Sequence, residues 1–297
     1  MDEDISVKGD DTVALWFSET ASPGHRLEWK INRMLFSGQS PYQSIEVVDT
    51  ESFGPSLVLD GIMQTTTGDE FIYHEMLAWV PLNAHPHPGR VLIIGGGDGG
   101  LAREVLASPA VRNLTLVEID PMVVEVSRKY LHQHTRAFED PRLQVVIADG
   151  MEYLAEPPAP YDLILVDSTD PEGGPSSVLY TRDFHERVYR ALAPDGVFIQ
   201  QTGTPTYNPE VLRDTSHGVS EVFPMCRVYW CVVPTYPGGL FTFTSGSKQV
   251  DLMQSRSETV PHARWYTPDM HRAAFALPPI VSQYVPESVR SAQSMAR

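Results

Sequence analysis

The stretch "VLIIGGGDGG", residues Val91 to Gly100, decides the fold. Four apolar residues run into a glycine-rich turn, and a helix candidate, Gly100–Leu106, follows. A strand, a glycine turn and a helix normally cradle a phosphate, because backbone N–H groups and the helix dipole face the anion. Here the turn carries its own carboxylate, Asp98, where a phosphate would lie. That charge is the clue to the ligand.

Working outward, the strand pattern repeats downstream as "LTLVEID", "LQVVIAD", "DLILVDS", "VFIQQTG", "RVYWCVV" and "LFTFTSG". Helical segments such as Pro121–Tyr130 and Thr181–Leu192 lie between most of the earlier runs. Continuous apolar runs with helical crossovers predict an α/β fold, a Rossmann-like doubly wound sheet that is mostly parallel. Upstream, "ALWFSE", "LEWKINRMLFSG", "QSIEVVDT" and "SLVLDGIMQTT" read as short strands, with "DTESFGPS" as a hairpin connection. The helix "DEFIYHEMLAWVPLNA" follows, with Asp69 as its cap and Phe71, Ile72, Met76, Trp79 and Val80 as an apolar stripe. The proline-rich "HPHPGR" is a connector. Residues 1–80 are thus expected to form a small N-terminal all-β domain, ordered from about residue 12, plus its connecting helix. Residues 81–297 are expected to form the Rossmann-like domain, and "VRSAQSMAR" reads as a frayed tail.

Composition narrows the function. A net charge of −16 over 297 residues argues against nucleic acid, which requires clustered Lys and Arg. An acidic chain can instead steer cationic ligands. No apolar run approaches the ~20 residues that span a bilayer. The acidic start "MDEDISVKGDD" lacks the features of a signal peptide, so a cytoplasmic protein is expected. Cys226 and Cys231 lie in one apolar run and read as buried free thiols.

The acids have an address. Asp98 ends the first strand, Glu118 and Asp120 the second, Asp149 with Gly150 the third, and Asp167 the fourth, with Asp170 just beyond. In a doubly wound sheet these ends open onto one crevice. Gly95, Gly97 and Gly100 satisfy G-x-G-x-x-G, and Asp120 lies at the distance of a ribose-binding acid, so a dinucleotide-dependent dehydrogenase is a competitor. Against it, Asp98 would repel a pyrophosphate, and no Lys or Arg occurs in the turn. A nucleoside with a cationic tail removes the conflict. Glu118 would take the ribose hydroxyls, Asp149 the adenine amine and Asp98 the cation. Each acid taken singly could equally be a helix cap or turn former.

The stretch "VDSTDPEGGPSS" sets Asp167 and Asp170 at the root of a Gly/Pro/Ser loop suited to moving over a ligand. Metal is disfavoured because no histidine cluster accompanies these acids. His85 and His87 of "HPHP" read as solvated turn, and "YHEML" lacks the second histidine of a zinc helix.

With these residues in place, the chain resembles the spermidine synthases, the polyamine aminopropyltransferases. The resemblance rests on "YQSIEV", "LVLDGIMQTT", "DEFIYHEM", "VLIIGGGDGG", "VEID", "ADG", "DSTDP", "VPTYPGG" and "HRAAFALP" and covers nearly the whole chain. It implies a catalytic domain of the class I S-adenosylmethionine-dependent transferase type. The implied reaction moves the aminopropyl group of decarboxylated S-adenosylmethionine to a diamine, usually putrescine, giving spermidine and methylthioadenosine. The resemblance assigns donor binding to Gln43, Asp98, Glu118, Asp149, Gly150 and Pro175, beside the glycines Gly95, Gly97 and Gly100. Asp167 would be the catalytic base. Tyr73, His74, Asp98, Asp167, Asp170 and Tyr236 would line the amine site, with Gln64 and Gln201 as weaker members. It implies no cofactor, no metal, small-molecule substrates only and a homodimer or homotetramer.

Three departures stand out. Gly68 replaces an arginine common before "DEF", "FGPS" replaces "FGR", and the gate loop is one residue longer with Ser177 at its usual glutamate. Cadaverine, diaminopropane, agmatine and spermidine stay open as acceptors. A methyltransferase is the nearest rival, which Asp98 opposes because the methionine tail carries a carboxylate. An inactive polyamine-binding homologue is the rival from another class.

Overall fold

The computed structural model describes residues 14–132, 134–171, 174–256 and 260–295. The acidic start and the gate-loop pair Glu172 and Gly173 lie outside the described residues. The alternating runs of the first part form one antiparallel meander, β1 (Leu15–Ser22), β2 (His25–Gln39), β3 (Ser44–Thr50), β4 (Gly54–Leu59) and β5 (Ile62–Thr66), in sequence order. Asp60 and Gly61 turn β4 into β5, both with positive φ (48° and 77°), as a two-residue mirror-image turn requires. Gly68 packs against Phe53 so closely that a Cβ would sit 2.9 Å from the Phe53 Cα, so no side chain fits there without a shift.

Helix α1 (Glu70–Ala84) leads into the second sheet. Then follow β6 (Arg90–Gly95), α2 (Gly100–Ala107), β7 (Asn113–Glu118), α3 (Pro121–Tyr130), β8 (Leu143–Ile147), α4 (Gly150–Tyr153), β9 (Tyr161–Asp167), α5 (Arg182–Ala191) and β10 (Leu192–Gln201). The remainder is α6 (Pro209–Val222), β11 (Met225–Val232), β12 (Leu240–Ser247), α7 (Pro268–Ala274), α8 (Pro279–Ser282) and α9 (Glu287–Met295). The sheet order is β11-β12-β10-β9-β6-β7-β8. The pairs from β8 to β10 are parallel, whereas β12 runs antiparallel to both its neighbours. The order reverses between β6 and β9, where Gly95 stands opposite Asp167. Ligands bind beyond the strand ends at such a switch point.

The two sheets meet through an apolar seam. Ile45, Val47, Leu57 and Leu59 of the meander pack on Val123 and Val126 of α3 and on Leu131. Above it, Ser40 Oγ and Gln43 Nε2 donate to Asp120 Oδ2 at 2.6 and 3.0 Å. Asp120 is fully buried and also caps α3 through Met122 N, so this acid is structural and lies outside the cavity wall.

Several local expectations are corrected. Helix α1 carries no single stripe: Phe71 is its one residue that is not buried. It runs through the interior, with Glu75 accepting from the backbone N–H groups of Arg264, Trp265 and Tyr266 at 2.7–2.8 Å. Asp69 precedes α1 without capping it, because its carboxylate accepts from Thr66 Oγ1 and from Thr235 N and Oγ1. His85 is no solvated turn residue: its side chain is 0 % exposed, with Nδ1 accepting from His87 N. The end of the chain is no frayed tail through Met295, because α9 docks by Gln293, which bonds both polar groups of the Val228 backbone. Cys226 and Cys231 are buried free thiols, and burial pushes the Cys226 thiol up to about 12. Among the described residues no helix is long and apolar enough to cross a membrane.

Candidate active site

A cavity of 480 Å³ opens at the switch point. Its floor is the strand ends, and one wall is the meander, from Glu19 in β1 to Thr65 in β5. Seven carboxylates line it, those of Glu19, Asp60, Asp98, Glu118, Asp149, Asp167 and Asp170. No Lys or Arg occurs among the described lining residues. Every side chain that the resemblance assigned reaches this wall, Gln43, Gln64, Gln201, Tyr73, His74, Tyr236 and Pro175 included, as do Gly95, Gly97 and Gly150. Gly100 does not. It opens α2 against His74, whose ring a Cβ would strike.

On the side of β9, Asp167 Oδ1 accepts from Tyr73 Oη at 2.8 Å. Its Oδ2 is buried without a hydrogen-bond partner. Burial pushes this carboxyl up to about 6, with Asp98 adding and His74 and Tyr73 opposing. His74 Nε2 lies 3.8 Å from Asp167 Oδ2 and 3.9 Å from Asp98 Oδ2, and its Nδ1 lies 2.5 Å from Glu70 Oε2. Burial alone would favour neutral imidazole, but Asp98, Glu70 and Asp167 outweigh it and raise His74 to about 9. It is therefore an internal cation at neutral pH. Glu70 also binds Arg103 Nη2 at 2.9 Å. Burial would raise Asp98 as well, but His74, His134 and the Gly100 N–H outweigh it and hold it below the usual range.

The sequence shows no histidine cluster beside these acids, but the fold brings one histidine into ligand distance of two of them. The fold sets His74 between two of them, with ligand-type atoms of His74, Asp98 and Asp167 within 4.8 Å of one another. The trio offers one imidazole and two carboxylates to a cation, whether a metal ion or an ammonium.

Beyond Asp167 the chain turns to Asp170, whose Oδ1 accepts from Gln201 Nε2 at 2.9 Å and Oδ2 from Asn208 Nδ2 at 3.3 Å. Burial raises this carboxyl, and the two amides oppose the rise. Gln201 is itself fixed by Ser168 O, by Tyr180 Oη and by donation from Gly203 N to its Oε1. Tyr236 Oη donates to Gln64 O at 2.7 Å, tying this end to the meander. Pro175 opens a short 3₁₀ turn, Pro175–Tyr180.

On the side of β7 the acids are held by backbone. Glu118 Oε1 accepts from Asp120 N at 2.9 Å and Oε2 from Gly97 N at 3.2 Å. Burial still pushes it up to about 7 against these bonds. Asp149 caps α4 with Oδ1 alone, through Met151 N and Glu152 N, leaving Oδ2 for a ligand. Gln43 is aimed by its bond to Asp120.

Sequence reasoning missed Glu70, His134, Glu19 and Asn208. The spacing of Glu70 and His74, four apart on one helix, was a readable signal. Glu19, inside "WFSE", accepts from Met63 N at 2.8 Å. Nothing in "HQHT" marks His134.

A family model described as the spermine/spermidine synthase domain matches residues 70–256, and one for the spermidine synthase tetramerisation domain matches residues 15–67. A polyamine aminopropyltransferase of Moorella thermoacetica is 45% identical over 273 residues, covering 91% of this chain and 96% of its own length. One from Bacillus mycoides is 44% identical over 275 residues, 92% of this chain and 100% of its own. The crystal structure of a spermidine synthase with the transition-state analogue AdoDATO superposes with a TM-score of 0.88 at 42% identity, over 91% of this chain and 94% of that one. Spermidine synthase from Thermotoga maritima gives 0.84 at 40% identity over the same shares.

Proposed function

Because the chain belongs to the spermine/spermidine synthase family, we propose that it moves the aminopropyl group of decarboxylated S-adenosylmethionine to putrescine, giving spermidine and methylthioadenosine. Family membership sets the reaction class, polyamine aminopropyl transfer; the acceptor and the residue roles are our reading. The observation that carries it is the buried, unpartnered Oδ2 of Asp167 in a cavity with seven carboxylates and no described Lys or Arg. Such a cavity is built for cations.

The nucleoside lies on the β7 side, with ribose hydroxyls on Glu118, the adenine amine on Asp149 beside Gly150, and Gln43 and Pro175 against it. Gly95 and Gly97 let the backbone approach. The tail ammonium pairs with Asp98. Putrescine lies along Tyr73 and Tyr236, its remote ammonium on Asp170 and its reacting nitrogen at Asp167 Oδ2. Gln64 and Gln201 border this site, and Gln201 fixes Asp170. Asp167 accepts the proton of the attacking amine, which suits a carboxyl poised at about 6. The nitrogen forms a bond to the methylene next to the sulfonium. The C–S bond breaks with its electron pair going to sulfur, and a neutral thioether leaves. His74 is not a ligand of the amine in this reading. Its positive charge keeps Asp98 and Asp167 ionised at close range.

The reaction uses neither metal nor cofactor. The chain works in the cytoplasm as a homotetramer joined through its meander, whose β1 exposes Leu15 and Trp16. The test is product analysis with decarboxylated S-adenosylmethionine and a panel of putrescine, cadaverine, diaminopropane, agmatine and spermidine, with and without EDTA. Putrescine should turn over fastest, EDTA should change nothing, and S-adenosylmethionine should not donate its methyl group. Faster turnover of another amine would overturn the acceptor. Methyl transfer would overturn the reading of Asp98.

A further inference from the structure

The mechanism above leaves one buried ionisable group at the donor tail without a task. His134 is fully buried in the connector between α3 and the short 3₁₀ turn Thr135–Glu139. Its Nδ1 lies 3.1 Å from Asp98 Oδ1, and its Nε2 lies 3.7 Å from Glu70 Oε1 without a hydrogen-bond partner. An ionised carboxylate only accepts, so Nδ1 is the donor. The same Oδ1 also takes the Gly100 N–H at 2.8 Å. Both bonds therefore fall on one oxygen of Asp98, and Oδ2 is left on the side of His74.

We infer that His134 is a positioning residue for the donor tail: it fixes the rotamer of Asp98 so that Oδ2 meets the ammonium of the aminopropyl group. The inference rests on the reading of Asp98 given above. A carboxylate with only one backbone bond can rotate, and a rotating partner loses orientation as well as affinity. The residue acts through Asp98 and does not touch the substrate. Its effect should depend on the ammonium and not on the nucleoside.

Methylthioadenosine offers the needed control, because it has the nucleoside without the cationic tail. Asparagine places an amide near Nδ1, whereas glutamine places one near Nε2, so the two variants separate the Asp98 contact from the Glu70 contact. For His134→Leu, calorimetry should find decarboxylated S-adenosylmethionine bound more weakly, by at most the roughly ten- to hundredfold that losing the Asp98–ammonium contact would cost. Methylthioadenosine should bind as to the parent protein. His134→Asn should restore most of the donor affinity and His134→Gln should not. Equal weakening of both ligands in His134→Leu, or rescue by Gln alone, would overturn the inference, as would unchanged donor binding. If His134→Leu does not fold, the Asn and Gln variants still decide. Asp98→Asn in the same assay tests the underlying reading separately: it must weaken the donor and spare methylthioadenosine. If it does so while His134→Leu changes nothing, the role of Asp98 stands and that of His134 fails.

Discussion

The two sides of the cavity use the same side chains in opposite ways. On the β9 side, Asp98 and Asp167 face an internal cation, His74, and Asp98 also holds a second imidazole. On the β7 side, Glu118 and Asp149 are held by backbone N–H groups, and among the described residues no cationic side chain pairs with them. A backbone donor orients a carboxylate without supplying a mobile charge. Such a site suits neutral hydroxyls and amines. Carboxylates balanced by imidazolium can exchange charge with an incoming ammonium. In the function proposed above, position in the fold, more than residue type, divides a nucleoside half from an amine half.

The sharpest break of this division is Asp167→Asn, which keeps shape and removes charge. A lost general base costs ~100- to 10,000-fold in rate, roughly 3–5 kcal/mol of barrier. Rapid-quench kinetics should find this loss in turnover, with donor affinity retained. Raising the pH should rescue only part of it, because neutral amine is supplied but the proton still lacks an acceptor. A variant within about threefold of the parent, far inside the range for a lost base, would show that the proton leaves by another route.

The mirror experiment is Glu118→Gln. The donor KM should rise about ten- to a hundredfold, as for a lost bond to a charged acceptor, while kcat changes little. A fall in kcat with unchanged KM would mean that the nucleoside half takes part in the chemistry and that the division is wrong.

The strand ends were legible because each apolar run is closed by an acid; β6, β7 and β9 are buried on both faces, whereas β8, at the sheet edge, is half-exposed. Their convergence was legible too, since a doubly wound sheet opens such ends onto one crevice, and Asp98, Glu118, Asp149 and Asp167 all line it. The antiparallel placement of β12 between β10 and β11 was not legible, because its apolar run reads like those of the parallel strands β6, β7 and β9. Nor was the burial of α1 on nearly every side, since its polar residues are silenced by partners far along the chain, such as the backbone of Trp265 for Glu75. His134 and Glu19 belong to the same class: each reaches the cavity region through a contact between distant segments. Asp120 is the reverse case, an acid at a strand end that is spent on capping α3 and anchoring Ser40 and Gln43.

Within the amine half, Asp170→Ala should raise the putrescine KM by about tenfold, the loss of one charge-assisted contact. The donor KM should not move. Butylamine, which lacks the remote ammonium, should react poorly with the parent and equally poorly with the variant. If butylamine matches putrescine in the parent, Asp170 does not hold the second charge.

The smallest expected effect separates the two halves by pH in the ligand-free protein. His74 has a folded pKa of about 9 against an ordinary 6.5, so it favours the folded state when charged. That stabilisation is complete below pH 6.5 and is lost as pH rises through about 9. Glu118 is raised from 4.5 to about 7, so its protonated form is favoured by folding. Its contribution is complete below pH 4.5 and is lost as pH rises through about 7. Both terms run in the same direction but in different windows. The melting temperature should therefore fall as pH rises from 6 to 9.5. Scanning calorimetry of Glu118→Gln should flatten the part below about pH 7.5, and His74→Asn the part above it. If both variants flattened the same window, the two halves would titrate as one coupled cluster. The contrast between backbone-held and imidazolium-held acids would then carry no independent energy.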